Sequence, residues 1–195
     1  MPVTRLSAPR RAALPSRRRC ARGFTLIELV TVLVLAGVMA AFAGARFFQR
    51  ETFDARSFSD QAASMLRYAQ KLAVAQNRPV FVRLDAGGLA VCFDALCGPA
   101  SRVVAPGGRN SGSRETRQYC NGQDAWLCEG VPASVALGTN PAGTAGFYFD
   151  ALGQPYALAN AFPAPSTFPA RLRLGIQGTD MLRTITVEGV TGYVY

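Results

Sequence analysis

The feature that most constrains this chain is an apolar run that begins at Phe24 and ends at Ala45. The run contains a single charged residue, Glu28. As an α-helix it would be roughly 33 Å long, which is about the thickness of the hydrocarbon core of a bilayer. We therefore predict that residues 24–48 form a transmembrane helix, which a soluble domain follows.

The residues before the run are strongly basic. Residues 1–23 hold seven arginines and no acidic residue, so seven of the 21 basic residues precede the run. The other 172 residues hold 14 basic and 12 acidic residues, a net charge of only +2 out of the formal +9. Such a basic flank places the N-terminus in the cytoplasm and the rest of the chain outside it. Bulk charge is therefore no argument for a nucleic-acid partner.

A cleaved secretory signal is the main alternative for this segment. Small residues at 41–43 or 43–45 fit a signal-peptidase site, and such a cut would release a secreted binding protein. Glu28 argues against this alternative, because an ionisable group in an apolar run is costly and usually has a function. A buried helix of a soluble protein seldom follows so basic a flank.

Eight residues at the junction of the basic and apolar segments carry a resemblance. The sequence Gly23-Phe24-Thr-Leu-Ile-Glu28-Leu-Val resembles the processing site of type IV prepilins and type II secretion pseudopilins. The resemblance implies that a prepilin peptidase removes the leader 1–23 by cutting between Gly23 and Phe24, and that the new Phe24 amine is N-methylated. It also implies that Glu28 pairs with the N-terminal amine of a neighbouring subunit, which would set the axial register during assembly.

The sequence pattern changes twice after the apolar run. Residues 49–79 continue the helix as an amphipathic second half, because apolar residues recur at three- and four-residue steps: Phe58, Ala62, Met65, Leu66, Ala69, Leu72 and Ala73. Asn77-Arg78-Pro79 predicts the end of a single helix over 24–76. Period-two and short apolar runs in 80–195 then predict strands at 80–84, 89–93, 147–149, 155–158, 171–176, 181–187 and 193–195.

A short sequence repeats within this β-rich region. Phe-Asp-Ala-Leu occurs at 93–96 and again at 149–152, and each copy has a proline three residues after the leucine. The flanking residues do not repeat, which favours recurring turn chemistry over duplication.

The resulting fold class is α+β: a long N-terminal helix, with a membrane-spanning first half, packed on an antiparallel β-sheet head. This is also the fold that the resemblance implies. Residues 68–80 and 185–192 resemble the GspH/FimT group of minor pilins and pseudopilins, which is similar to the minor pilins of MSHA-type pili. That resemblance implies a bacterial inner-membrane protein with a periplasmic head, later part of a pilus or pseudopilus that it helps to prime or cap.

The partners implied by the resemblance are prepilin peptidase, other major and minor pilins or pseudopilins, and the inner-membrane assembly platform. Adhesion, twitching, secretion and DNA uptake share these parts, and the sequence leaves the choice between these machines open.

Five cysteines are present, and Cys20 lies in the leader. The remaining four are an even number in an exported domain, which predicts two disulfides. Three pairings are possible; we prefer Cys92 with Cys97 and Cys120 with Cys128, because each closes a short loop. A zinc site of four thiolates fits the spacings poorly.

The other candidate region is a basic segment over residues 101–118, which we predict as a long Gly/Ser-rich loop. Its arginines include Arg109, Arg114 and Arg117, which could contact the phosphates of DNA. A solvated loop without a ligand is the alternative interpretation. The chain has no histidine, which excludes Ser-His-Asp and Cys-His catalysis, and no cofactor motif is recognisable. We therefore expect a structural subunit, not an enzyme.

Overall fold

The computed structural model describes residues 24–161 and 164–195. The first helix, α1, covers Leu26–Gln76. It is followed, over the described residues, by these elements: β1 (Val80–Asp85), β2 (Gly88–Cys92), a 3-10 helix (Pro99–Ser101), α2 (Arg114–Tyr119), β3 (Cys128–Gly130), β4 (Ala136–Asn140), β5 (Gly146–Phe149), β6 (Pro155–Ala157), β7 (Arg171–Gln177) and β8 (Leu182–Glu188). The chain divides into two compact units between Ala43 and Gly44.

Helix α1 ends where the sequence predicts. Asn77 adopts a left-handed conformation with φ of 50°, and the amide of Arg78 donates to the carbonyl of Ala73 at 3.2 Å. Asparagine tolerates this conformation at a helix C-terminus, and Pro79 cannot continue the helix.

The second half of α1 forms one wall of the core of the head. The predicted stripe is buried from Phe58 to Ala73, except for Leu72, which is half-buried and packs against the same core. This burial explains the three- and four-residue spacing, because residues at those steps share one helix face.

Two antiparallel sheets complete the head. The five-stranded sheet has the order β3-β2-β1-β5-β6, and the three-stranded sheet has the order β4-β7-β8. Strand β7 shows the expected alternation: Leu172, Leu174 and Ile176 are fully buried, whereas Arg171, Arg173 and Gln177 are exposed. The predicted α+β class, a long N-terminal helix with an antiparallel sheet head, is confirmed.

Some sequence predictions need correction. Strands β3 and β4 and helix α2 were not predicted, and residues 193–195 form only a bridge from Val194 to Val187. Residues 101–118 are also not the free loop that the composition indicated. Arg102 forms a bridge with Cys92, Val104 forms one with Trp126, and α2 occupies the end of the segment. Backbone pairing of short, polar stretches gives too weak a pattern to recognise in the sequence.

Candidate functional site

The prepilin-type junction begins at the edge of the described structure. The leader 1–23, with Gly23 and Cys20, lies outside the described residues, whereas Phe24 and Glu28 lie inside them. Thr25 precedes α1, and its hydroxyl accepts a hydrogen bond from the Glu28 amide at 3.3 Å. Thr31 in turn donates to the Glu28 carbonyl at 2.9 Å. The backbone around Glu28 is therefore fixed in the first turn of the helix.

The carboxylate of Glu28 is exposed and, among the described residues, forms no ion pair. It lies in the first turn of α1, where the helix dipole favours a negative charge. A positively charged group from another molecule could therefore reach it.

The side chains around Glu28 are large and apolar, and they have no cover within their own unit. From Phe24 to Met39 these side chains are 45% to 82% exposed: Phe24, Leu26, Ile27, Leu29, Val30, Val32, Leu33, Val34, Leu35, Val38 and Met39. An apolar surface of this extent marks a site that contacts lipid or protein. Across the residues that the structure describes, no helix combines the length and the mean hydropathy needed to cross a membrane.

The arginines of the basic segment are in different environments. Arg114 and Arg117 are exposed and three positions apart on α2, so they lie on one helix face. Arg109 precedes the helix, and its guanidinium lies 3.7 Å from the carboxylate of Asp124, with 77% of the Arg109 side chain exposed. Exposed pairs of this kind contribute little to stability.

A buried carboxylate that sequence reasoning missed holds this basic segment in place. Glu129 in β3 is 3% exposed. Its Oε1 accepts hydrogen bonds from Nε2 of Gln61 on α1 and from the amide of Ser111 at 2.7 Å. Its Oε2 accepts from the hydroxyls of Ser111 and Thr116, each at 2.6 Å. One side chain thus connects α1, β3, the basic segment and α2.

The start of α2 is fixed by the same network. The Ser113 hydroxyl accepts the amide of Thr116 at 3.0 Å, which is an N-cap. The sequence carries the corresponding signal, a serine with a glutamate two positions later, Glu115, in the first turn of the helix. The signal for Glu129 is an isolated acidic residue in the otherwise apolar stretch 126–131.

The four cysteines of the head pair as Cys92–Cys97 and Cys120–Cys128, the pairing that short loops favour. They lie in a second buried cluster with Ala90 and Trp126, apart from the main core. The Trp126 indole donates to the carbonyl of Val91 at 2.9 Å. The disulfides therefore stabilise the outer face of the five-stranded sheet.

The N-terminal segment matches a known family model. Residues 18–44 match the prokaryotic N-terminal methylation motif, which confirms the resemblance at the predicted processing site. The match covers the basic flank, Gly23, Phe24, Glu28 and most of the apolar run. No curated protein sequence is similar enough to the chain to count as a relative.

Two solved structures of the type IV minor pilin FimU from Pseudomonas aeruginosa strain PAO1 are similar to this chain. The structure in space group P21 has a TM-score of 0.41 and 19% identity, covering 79% of this chain and 90% of that chain. The structure in space group P65 has a TM-score of 0.42 and 20% identity, covering 72% of this chain and 90% of that chain. The fold class given above rests on the chain's own elements and not on this likeness.

Proposed function

We propose that this chain is a minor pilin or pseudopilin subunit of a type IV pilus or a type II secretion pseudopilus. Prepilin peptidase cuts it between Gly23 and Phe24, and the Phe24 amine is methylated. The observation that carries the proposal is the methylation motif at 18–44, which leads into a helix whose second half is built into a disulfide-bonded head. In this proposal the role is structural and not catalytic.

We propose that residues 24–45 hold the subunit in the bacterial inner membrane, with the leader in the cytoplasm and the head in the periplasm. The seven arginines before the run and the exposed apolar side chains within it support this orientation. Protease added to spheroplasts should digest the head and leave the N-terminal segment protected. A head that is protected from the protease contradicts the orientation.

In the proposed assembly, Glu28 receives the methylated amine of a neighbouring subunit. The exposed carboxylate, the fixed backbone around it and the absence of an ion pair among the described residues support this role. Both charges would leave water as the helices pack, and breaking such a buried pair on one side costs about 3–5 kcal/mol. Subunits in the wrong axial register would incur this cost.

Neutralising Glu28 tests the assembly role. Glu28→Gln and Glu28→Ala should leave the amount of membrane-associated protein unchanged, while incorporation into filaments should fall by at least about tenfold. Asp180→Asn is the matched control, because Asp180 is an exposed carboxylate on the β7–β8 turn. Normal incorporation of both Glu28 variants contradicts the pairing.

We further propose that the subunit acts with other minor pilins at the assembly platform to prime or cap the filament. A priming subunit is needed once per filament, so its deletion should reduce the number of filaments and leave the length of the remaining ones unchanged. Measuring surface pili, secreted proteins and transformation in the deletion strain identifies the machine. An unchanged number of filaments in the deletion strain would contradict priming.

A DNA-binding minor pilin is the second candidate function, supported by three exposed arginines in one segment, Arg109, Arg114 and Arg117. Replacing all three with glutamine should weaken DNA binding and reduce the slope of log K against log salt by roughly 3. Unchanged affinity removes this candidate without affecting the pilin proposal. The other alternative is a secreted binding protein cut after Ala43 or Ala45. Its mature chain would begin at Gly44 or Arg46 and not at Phe24.

A further inference from the structure

The repeated Phe-Asp-Ala-Leu sequence forms a turn at both of its positions, and in each turn the aspartate accepts backbone amides of the residues that follow it. Oδ1 of Asp94 accepts the amide three residues later at 2.6 Å, and Oδ1 of Asp150 accepts the amides two and four residues later at 2.9 and 2.8 Å. The third residue after each aspartate has a positive φ, 54° in the first turn and 80° in the second. We call residues 93–99 and 149–155 the two leucine turns.

Each leucine turn exposes its leucine almost completely. Leu96 is 85% exposed and Leu152 is 84% exposed, although each follows a buried strand. A single exposed leucine is ordinary on a protein surface. Two exposed leucines that lie close together, each on a turn of the same sequence, form a larger apolar surface.

The sheet topology places the two turns side by side. Strands β2 and β5 both pair antiparallel with β1, so they run in the same direction on either side of it. Cys92 at the end of β2 pairs with Phe81, and Phe149 at the end of β5 pairs with Val80. Both turns therefore leave the sheet where β1 begins, about 10 Å apart, which is twice the strand spacing.

A mainly apolar cleft of about 670 Å³ opens at this edge of the sheet. Its walls include Pro79, Phe81, Ala95, Tyr148, Leu152 and Leu158. The Tyr148 ring lies between two others, 5.0 Å from Phe81 and 5.3 Å from Tyr156, which gives the cleft a packed aromatic floor. The volume is in the range of sites that bury a ligand or a few side chains.

Some polar groups of the cleft already have hydrogen-bond partners, whereas an arginine there has no carboxylate partner. Oδ1 of Asp150 is used within its own turn, and Oδ1 of Asn160 accepts the amides of Ala157 and Thr167 at 3.1 and 2.9 Å. In contrast, Arg78 stacks on Phe93 at 4.0 Å and, in the described part of the chain, has no carboxylate within ion-pair distance.

Arg83, next to the first leucine turn, likewise lacks a carboxylate partner among the described residues, and it reaches only the Leu96 carbonyl at 3.5 Å. Arg78 therefore places a cation without a carboxylate partner in the wall of the cleft, and Arg83 places a second one beside the first leucine turn. A complementary ligand carries a carboxylate next to a large apolar side chain.

We propose that the two leucine turns and the cleft between them bind an acidic peptide segment of a neighbouring filament subunit. In that segment a leucine or phenylalanine enters the cleft, and flanking glutamates or aspartates pair with Arg78 and Arg83. The identity of the partner rests on the proposed function, whereas the recognition chemistry rests on the cleft alone.

Fluorescence anisotropy of labelled peptides on the full chain in phosphatidylcholine nanodiscs tests the proposal. The probe has a leucine-phenylalanine pair between glutamates; the comparison peptides have lysines in place of the glutamates, or alanine and serine in place of the apolar pair. The acidic apolar peptide should bind at least about tenfold more tightly than either comparison peptide. The double variant Leu96→Ser and Leu152→Ser should weaken the binding of the acidic apolar peptide to a similar extent. Arg78→Gln should remove most of the difference in affinity between the acidic and the basic peptide.

The matched controls are Leu182→Ser and Arg173→Gln, an exposed leucine and an exposed arginine that do not line the cleft. Both should bind the probe like the unmodified chain. Equal binding of the basic peptide overturns the proposal, as does binding that the double leucine variant leaves unchanged. Self-association that the double leucine variant abolishes would also overturn it, because the occupant would then be a second copy. Peptide binding is measured without filaments, so a negative result would not change the interpretation of the Glu28 experiment.

Discussion

Replacing Glu129 with alanine should be among the most damaging single substitutions in the head. The carboxylate is buried and accepts four hydrogen bonds, from Gln61, Ser111 and Thr116. A hydrogen bond to a charged group contributes about 1.5–3 kcal/mol, and a buried donor without a partner costs about 1–3 kcal/mol. Water that enters the vacated space satisfies part of this loss. We expect the free energy of unfolding to fall by about 3–5 kcal/mol.

Glutamine at the same position separates hydrogen bonding from packing. Its amide oxygen can accept from Gln61 and from the amide of Ser111 in place of Oε1. Its amide nitrogen would face the hydroxyls of Ser111 and Thr116, which must rotate in order to accept. The shape is kept and the donors keep partners, so Glu129→Gln should cost only about 1–2 kcal/mol.

Thermal unfolding of the full chain in detergent micelles, followed by the fluorescence of the single tryptophan, measures these changes. At about 2–4 °C per kcal/mol for a domain of this size, Tm should fall by about 6–20 °C for alanine and 2–8 °C for glutamine. Glu115→Gln changes a half-buried carboxylate in the first turn of α2 and should lower the free energy of unfolding by less than about 1 kcal/mol. If the free energy of unfolding of the alanine variant lies within about 1 kcal/mol of that of the unmodified chain, the carboxylate does not hold the segment.

Three further substitutions follow from the geometry of the head. Gly192→Ala should lower the free energy of unfolding, measured by denaturant titration, by at least about 2 kcal/mol. The reason is that φ is +68° and the new Cβ would lie too close to the backbone oxygen of Gly153. Gly107→Ala is the control and should be neutral, because nothing lies within 4 Å of its new Cβ. Replacing Cys120 and Cys128 with serine should cost about 2.5 kcal/mol by the loop-closure estimate, and a reducing agent should then have a smaller effect on the variant than on the unmodified chain. Burial raises the pKa of Tyr119 above its ordinary value of 10.0, so stability should be full below about pH 10 and fall above it, where the unfolded phenol ionises first. Tyr119→Phe should make that fall shallower in urea titrations at stepped pH; an unchanged slope would contradict the burial argument.

The parts of the fold that were predicted from the sequence are those with a sustained hydrophobic period. The stripe of α1 and the alternation of β7 bury one face each, and that burial requires a period of 3.6 or 2 over many residues. Strand β4 shows the opposite case. Its five residues are exposed or half-buried, so the hydrogen bonds to β7 that define it leave no apolar pattern.

The candidate sites also differ in whether their residues are contiguous in the sequence or come together only in the fold. The N-terminal methylation motif at 18–44 was recognised from the sequence because its residues are contiguous. Glu129 was not predicted, because its partners come from positions 61, 111 and 116 and converge only in the folded head. The repeated Phe-Asp-Ala-Leu turns were recognised as turns, but their position on either side of β1 depends on the strand order.

The mass of the mature N-terminus tests the central claim most directly. Protein isolated from its native membrane and digested for mass spectrometry should yield an N-terminal peptide that begins at Phe24 and carries one added methyl group. The same peptide should be unmethylated and still joined to Gly23 in a strain without prepilin peptidase. A mature chain that begins after Ala43 or Ala45 would contradict the claim, because it would have lost Glu28 and the exposed apolar residues that the proposal places in the membrane.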